Sequence, residues 1–163
     1  MAGGRWTCKS PDVRYLVTGT DAEGRSCVVE EHGLGPAGDP VDVTSLFGTR
    51  SSPPPPRPPS RAELRDLGVA PGRVQWIISR WAPLSEAATV HHTDTIDFDL
   101  VVEGSIELLL DDGAHELRAG DGAVITGVDH AWRAGADGCI LSVALFGTPP
   151  PEAGPGGPAA EET

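Results

Sequence analysis

The segment 89-TVHHTDTIDFDLVVEGSIELLLDDG-113 decides the fold class of this chain. In its second half, Ile106, Leu108 and Leu110 recur at every second position and so share one face. Alternation with a period of two is typical of a β-strand that has one buried face. The segment therefore predicts two strands, FDLVVEG and SIELLLDDG, joined tightly around Glu103-Gly104.

The sequence on both sides of this segment continues the β-pattern. RVQWIISRWAP precedes it, and AHELRAG, GAVITG, HAWRA and CILSVALFG follow it. The intervening DDG, AGDG and GADG are rich in residues that tolerate positive φ, as turns require. Short strands at such even spacing favour a sandwich or barrel. We expect residues 73–147 to form the barrel core.

The N-terminal half adds a hairpin and an insert to this core. VRYLVTG, the DAEG turn and RSCVVEE predict a β-hairpin within residues 13–31. The proline-rich stretch at 51–60 cannot join a sheet ladder, so we expect an extended surface segment. Residues 1–12 are expected to be flexible, and residues 148–163, which are poor in apolar side chains, to be a disordered tail. The chain should thus contain one domain, at 13–147.

One short helix is predicted after the proline-rich insert. Ser60 followed by Glu63 has the spacing of a capping box, and Gly68 is a typical helix end. The intervening RAELRDL places Leu64 and Leu67 on one face. The expected fold class is all-β, with this one helix.

Charge and cysteine content limit the possible partners and location. The 163-residue chain has a formal net charge of −12, which repels phosphate backbones and anionic lipid, so neither nucleic acid nor membrane is expected as a partner. There is no apolar stretch long enough to span a bilayer and no signal-peptide core at the start, and we therefore expect a cytoplasmic protein. Cys8, Cys27 and Cys139 form no C-x-x-C pair and are interpreted as reduced thiols.

Two motifs give the chain a resemblance to the cupin superfamily. The first cupin motif is a His, any residue, a second His, three or four residues, a Glu, six residues and a Gly. In this chain Gly104 is the glycine, Asp97 stands in the Glu place, and His91 and Thr93 occupy the two His positions. The resemblance implies a double-stranded β-helix, or jelly-roll barrel.

The second cupin motif is Pro-x-Gly-x-x-His, three residues and an Asn. It matches at Gly127 and His130, whereas Ile125 and Ala134 replace the Pro and the Asn. The phrase HHTDTIDF also resembles H-R-T-D-T-I-D-Y, found in a subgroup of small single-domain cupins of the natural-product tailoring type. The resemblance covers roughly residues 13–147.

The resemblance implies a site inside the barrel. His91, Asp97 and His130 are the candidate catalytic residues, and they would also be the ligands of any bound divalent metal, Fe, Zn or Mn. Thr93 replaces one ligand and Asp is shorter than Glu, so a site without a metal is an equal expectation. His92 should face the other way, outward or into an interface, unless a register slip turns it inward with Asp94.

Four further residues are candidates for the wall of the cavity. Trp132, two residues after His130, should share its face of the strand. Thr93, Trp76 and Arg80 complete the set of candidate substrate-binding residues.

Three functions remain open at this stage. The first is a small enzyme that converts an organic, polyketide-like or other natural-product intermediate by dehydration, cyclisation, decarboxylation or isomerisation, with imidazoles as acid and base. The second is an iron-dependent oxygenase, and the third is a ligand-binding cupin without turnover. A small-molecule substrate and a homodimer are expected as partners, with the hairpin added to a sheet edge.

Overall fold

The computed structural model describes residues 13–35, 43–52, 54–86 and 89–151, and within them it contains strands and no helix. The strands are β1 (Val13–Thr20), β2 (Ser26–Leu34), β3 (Glu63–Leu64), β4 (Val74–Trp81), β5 (His91–His92), β6 (Thr95–Leu110), β7 (Gly113–Arg118), β8 (Gly122–Ile125) and β9 (Ala131–Gly147). The prediction of an all-β fold is confirmed. None of the described residues form a helix that could cross a membrane.

The two longest strands, β6 and β9, pair antiparallel along almost their whole length. Their ladder is interrupted by bulges near Gly104, where the sequence predicted a turn between separate strands. Gly104 has a φ of 77°, and a Cβ there would lie 2.0 Å from the carbonyl oxygen of Gly138. Bulges bend strands, so one continuous pair of strands supplies both walls of the fold.

The main sheet has the order β2-β1-β8-β6-β9-β4, and β7 pairs with the second half of β6. It is mixed, because β1 and β8 run parallel while the other pairs are antiparallel. The N-terminal hairpin therefore joins one edge of the sheet, as predicted, and β4 forms the other edge. A separate small sheet consists of β3 and β5.

The side chains of both halves of β6 and β9 meet in one core. Its buried members are Leu16, Val69, Val101, Ile106, Leu108, Leu117, Ala123, Ile125, Val128, Trp132, Ala134, Cys139, Leu141, Val143 and Leu145. On β6, Asp97, Asp99 and Val101 are buried while Phe98 and Leu100 are exposed, so the odd-numbered residues there face inward. A second cluster of Val17, Ile96 and Val124 packs with Phe47 and Phe146.

The predicted helix at 61–67 is wrong. Instead, Glu63 and Leu64 form β3 and pair in parallel with the two adjacent histidines of β5. Ser60 does not cap a helix, because its hydroxyl donates to Asp129, whose other carboxylate oxygen accepts the backbone N–H groups of Arg61 and Ala62. Tertiary hydrogen bonds to the backbone thus override the local helix signal.

The described residues of the proline-rich insert form no helix or strand, and the insert lies against the body of the fold. We call residues 54–65 the strap. Arg57 forms a hydrogen-bonded ion pair with Asp94, just before β6. At the other end of the domain, Thr148 is fully buried and donates its N–H to the carbonyl of Asp94, so the ordered body extends past the predicted end at 147. The expectations for residues 1–12 and 152–163 lie outside the described residues.

Candidate active site

His91 and His130 form a direct pair at one end of the interior. Their backbones exchange two hydrogen bonds, of 2.9 and 2.8 Å, across an antiparallel bridge. The imidazole centroids are 4.5 Å apart with the planes inclined at 52°, and the Trp132 ring lies 6.1 Å from that of His130. The two cupin-like motifs, separated by nearly forty residues, therefore meet at His91 and His130, as the resemblance implied.

Each of these imidazoles is held by a backbone carbonyl two residues earlier. Nδ1 of His91 lies 3.1 Å from the Thr89 carbonyl oxygen, and Nδ1 of His130 lies 2.9 Å from that of Val128. A carbonyl only accepts, so Nδ1 carries the proton in both rings and Nε2 of the neutral form is the basic nitrogen. In each ring, Nε2 is thus the atom that can accept a proton.

Burial keeps both imidazoles neutral. It lowers the pKa of His130 to about 4, with the charge of His91 lowering it further and the Val128 carbonyl opposing the shift. Burial also lowers the pKa of His91, against a smaller opposing effect of the Thr89 carbonyl.

Asp97 and Asp99 form a second polar pair on the inner face of β6. Their strand neighbours are apolar: Asp97 is in register with Ile125 and Leu145, and Asp99 with Ala123 and Val143. The two residues are only 6% and 7% exposed. One oxygen of each, Oδ1 of Asp97 and Oδ2 of Asp99, is buried without a hydrogen-bond partner.

The protonation equilibrium of the carboxyl pair is shifted toward the neutral, protonated form. Burial raises the pKa of Asp97 to about 7, although the Thr95 hydroxyl has a smaller opposite effect. Burial, and secondarily the charge of Asp97, raises the pKa of Asp99 well above its usual range. The same region holds Cys139, where burial and the charge of Asp99 raise the pKa of the thiol to about 11. A buried carboxyl of this kind titrates near neutral pH instead of staying ionised.

The predicted metal set of His91, Asp97 and His130 is not assembled. No three His, Cys, Asp or Glu side chains within the described ranges lie close enough together to share a metal ion. Thr93, at the second His position, is buried and its hydroxyl accepts a 2.8 Å hydrogen bond from Thr95. These residues do not fit a metal held by three protein ligands.

The cavity candidates divide into two groups. Trp132 is 6% exposed and belongs to the core beside His130, and Thr93, two residues after His91, is 2% exposed. Trp76, in contrast, is 75% exposed on β4 and donates its indole N–H to Ser142, whose side chain lies on the outer face of β9. Arg80 is also exposed and lines a separate outer groove beside Glu103 and Asp137. Predicting Trp76 and Arg80 as cavity residues was wrong, because β4 turns both side chains outward.

His92 does not lie at a solvated strand edge. It faces away from His91, but the strap covers it, and it is 6% exposed. Its Nδ1 lies 2.6 Å from the Ser60 hydroxyl and 3.9 Å from Asp129, while its Nε2 is buried without a partner. Asp94 is engaged by Arg57, so the alternative of an inward pair with His92 is wrong as well.

Asp99 is the candidate site residue that the sequence analysis missed. The signal is present in the quoted segment: Asp97 and Asp99 are separated by Phe98 alone, and a period of two puts both carboxyls on one face. Once Asp97 is assigned to the interior, Asp99 must follow it.

The comparisons with known proteins find similar proteins in natural-product biosynthesis clusters. No protein-family model matches it. "Phomopsin biosynthesis cluster protein C'" of Diaporthe leptostromiformis is 32% identical over 93 residues, which are 56% of this chain and 42% of that protein. "Oryzines biosynthesis cluster protein J" of Aspergillus oryzae is 46% identical over 44 residues, 26% of this chain and 25% of that protein. The chain spans less than half the length of these relatives.

Solved structures similar to the chain are more distant in sequence. A cupin-2 domain containing protein from Shewanella frigidimarina has 21% identity and a TM-score of 0.38, covering 44% of this chain and 68% of its own. A sugar phosphate isomerase from a cupin superfamily of Silicibacter pomeroyi has 21% identity and a TM-score of 0.37, covering 48% of this chain and 52% of its own. By sequence the chain is thus similar to proteins of fungal natural-product biosynthesis clusters, and the solved structures similar to it include cupin proteins.

Proposed function

We propose that this chain is a small enzyme that converts a hydroxyl-bearing organic metabolite by acid/base chemistry in the barrel interior. The observation that carries the proposal is the Asp97–Asp99 pair, two buried carboxyls that each have an oxygen without a partner. The reaction class is one that needs only proton transfer: dehydration, cyclisation, decarboxylation or isomerisation. The similarity to proteins of biosynthesis clusters supports a natural-product intermediate as the substrate.

Burial of the Asp97–Asp99 carboxyl pair costs folding free energy, and the packing of the core does not explain why this cost is accepted. A buried polar group without a hydrogen bond costs about 1–3 kcal/mol, and here two such groups occupy consecutive inward positions among aliphatic side chains. Residues that disturb a core in this way, with shifted pKa values, are concentrated at functional sites. A substrate that hydrogen-bonds to the orphaned oxygens would remove the cost on binding.

The protonation state of the pair indicates the group that it binds. With the pKa of Asp97 raised to about 7 and that of Asp99 raised well above its usual range, the pair is partly protonated near neutral pH. A pair with one acid and one carboxylate offers one donor and one acceptor, which matches a hydroxyl group. A carboxylate or phosphate would need two donors, and an ammonium group would need two acceptors.

The same pair can complete a proton-neutral reaction. In a dehydration of a β-hydroxycarbonyl compound, a base takes the C–H proton next to the carbonyl, and an acid gives a proton to the hydroxyl, which leaves as water. The carboxylate and the carboxylic acid of the pair supply these two roles and exchange them. Nε2 of His130, neutral and oriented by the Val128 carbonyl, is a second base facing the interior.

The alternative functions find less support. An iron oxygenase needs a set of protein ligands that converge on one metal, and the His91, Asp97 and His130 side chains do not form that set. A ligand-binding protein without turnover would be recognised by a compound that binds the chain and is recovered unchanged in the assay below.

The test is to incubate the purified full chain, treated with a chelator, with a metabolite extract of a source strain from which its gene is deleted. Mass spectrometry should show one compound converted to a product that is isomeric with it or that has lost water or carbon dioxide. In deuterium oxide, an isomerised product should carry deuterium. A product that gains oxygen, or turnover that the chelator abolishes, would contradict the proposal in favour of the oxygenase.

A further inference from the structure

A row of buried polar side chains runs along β5 and the start of β6. Every odd-numbered position from 91 to 99 is polar, and none is more than 8% exposed: His91, Thr93, Thr95, Asp97 and Asp99. Burial of a polar group costs free energy unless the group is hydrogen-bonded. The acid/base chemistry proposed above involves the two ends of this row and gives the two threonines between them no role.

The two threonines are hydrogen-bonded to each other. Thr95 Oγ1 lies 2.8 Å from Thr93 Oγ1 and donates to it, and both residues are 2% exposed. A hydroxyl has one proton and two lone pairs. The bond uses the proton of Thr95, so Thr95 Oγ1 can still accept a hydrogen bond and Thr93 can still donate one.

Asp97 is the side chain that follows Thr95 on the same face of β6, because the two residues are separated by one position. Burial raises the pKa of Asp97 to about 7, and a side-chain hydrogen bond with Thr95 lowers it. Oδ1 of Asp97 is buried without a partner, so Thr95 serves the other carboxyl oxygen. Oδ1 is then the oxygen that a substrate can bind.

A group that acts as both acid and base needs a neighbour that suits both of its states. The carboxylate of Asp97 only accepts hydrogen bonds, whereas the acid also donates one. Thr95 can accept from the acid while it donates to Thr93, and both bonds can reverse when Asp97 ionises. The carbonyl partners of His91 and His130 only accept, so they cannot follow a change of protonation in this way.

We propose that Thr95 is a positioning residue for Asp97. Thr93 holds the Thr95 hydroxyl in place, and the hydroxyl pair provides a hydrogen bond to the carboxyl in both of its protonation states while Oδ1 stays available to the substrate. The effect on turnover rests on the proposed function, whereas the contact between Thr95 and Asp97 does not.

The first experiment needs no substrate. It is a double-mutant cycle of Thr95→Val and Asp97→Leu, measured by urea unfolding of the full chain; leucine suits the aliphatic neighbours Ile125 and Leu145. Thr95→Val removes two hydrogen bonds from wild type but only the bond to Thr93 from Asp97→Leu. The folding equilibrium constant should therefore fall at least about 5-fold more in the wild-type background. Effects that are additive within about two-fold would overturn the inference and leave the role of Asp97 itself untouched.

The second experiment measures turnover of the compound found in the metabolite-extract assay. Thr95→Val should lower kcat about 10-fold and leave KM within about two-fold, because Oδ1 of Asp97 still binds the substrate. Thr95→Ser keeps the hydroxyl and should restore kcat. Thr18→Val is the matched control: Thr18 is 1% exposed and its hydroxyl donates to the Val124 carbonyl, so the variant should lose stability and keep its kcat.

An unchanged kcat in Thr95→Val, or an equal loss of kcat in Thr95→Val, Thr95→Ser and Thr18→Val, would overturn the inference. A wild-type chain that converts no compound would overturn the proposed function instead. The double-mutant cycle would in that case still decide whether Thr95 and Asp97 are coupled.

Discussion

The interior holds two pairs of titratable residues that respond differently to the same burial. His91 and His130 each have Nδ1 bound to a backbone carbonyl, at 3.1 and 2.9 Å. Asp97 and Asp99 each keep an oxygen with no partner. Burial displaces both pairs toward their neutral forms, lowering the pKa values of the histidines and raising those of the aspartates. The histidine pair is therefore structurally satisfied, whereas the aspartate pair is not.

This difference indicates which of the two pairs would gain more hydrogen-bonding free energy when a substrate binds. A satisfied histidine is as much a structural element as a base, and it offers a ligand only its Nε2. An unsatisfied carboxyl gains a hydrogen bond when a ligand arrives, so binding energy is available there. The predictions below separate the two pairs.

The largest expected effect is that of Asp97→Asn on turnover. Asparagine keeps the shape of the side chain but cannot transfer a proton, so we expect turnover of the compound found in the metabolite-extract assay to fall about 10²- to 10⁴-fold. The variant should fold normally, because it replaces a group that burial destabilises. Asp137→Asn, at an exposed position, is the control for loss of a carboxyl. Full activity in Asp97→Asn would assign the chemistry to the histidines.

The next effect concerns His130. We expect His130→Gln to retain a near-parental melting temperature and to lose about 100-fold in turnover, since glutamine cannot act as a base. His130→Ala should in addition lower the free energy of unfolding by about 1–3 kcal/mol, because it orphans the Val128 carbonyl and empties the space between His91 and Trp132. If His130→Gln keeps its turnover, His130 is structural and the aspartate pair acts without it.

The change of folding stability with pH should have opposite signs for the aspartate pair and the histidine pair. Asp97 has a pKa of about 7 when folded against 3.8 as its ordinary value, so the folded chain holds the extra proton between these limits and stability falls as pH rises through them. His130 has a pKa of about 4 against 6.5, so the unfolded chain holds the extra proton and stability falls as pH decreases below 6.5. Each contributes at most about 1.4 kcal/mol per pH unit.

The two contributions oppose each other between about pH 4 and 6.5, so variants are needed to see them. Over this range the change in stability with pH should be more positive than wild type in Asp97→Asn and more negative in His130→Gln. Urea unfolding at several pH values measures both slopes. Parallel curves for wild type and Asp97→Asn would show that Asp97 titrates normally.

The sequence predicted the parts of this arrangement that depend on alternation. The period of two put Trp132 on the same face as His130, and the resemblance to the two cupin motifs placed Asp97 in the interior and brought His91 to His130. Two residues show the limit of that logic. Alternation correctly predicted that the His92 side chain points away from that of His91. It could not predict that the strap covers His92. Trp76 was assigned to the cavity by residue type, although its face depends on the pairing of β4 with β9.

The predicted helix failed for a related reason. Ser60 and Glu63 have capping-box spacing, but the capping signal competes with any acceptor that the fold supplies. Asp129, far away in sequence, accepts bonds from Ser60, Arg61 and Ala62. A hydrogen-bond partner so distant in sequence cannot be predicted before the topology is known. The same holds for the separation of Asp97 from the histidines.

The smallest expected effect is at the strap, and it tests whether the outward histidine belongs to the site. The Ser60 hydroxyl donates to Asp129 and accepts from Nδ1 of His92, and Asp129 retains two backbone N–H donors when Ser60 is replaced. Ser60→Ala should therefore lower the free energy of unfolding by only about 1 kcal/mol, the usual value of one hydrogen bond.

Turnover in Ser60→Ala should be unchanged, because His92 and the strap lie on the opposite side of β5 from the His91–His130 pair. Ser85→Ala is the matched control: it removes an exposed hydroxyl that bonds the Ala82 carbonyl, and its stability should stay within about 0.5 kcal/mol of wild type. Urea unfolding and a turnover assay on the same preparations measure both quantities. Loss of turnover in Ser60→Ala at unchanged stability would mean that the strap controls the site, and the contrast between the two interior pairs would then have to include His92 and Asp129 as a third group.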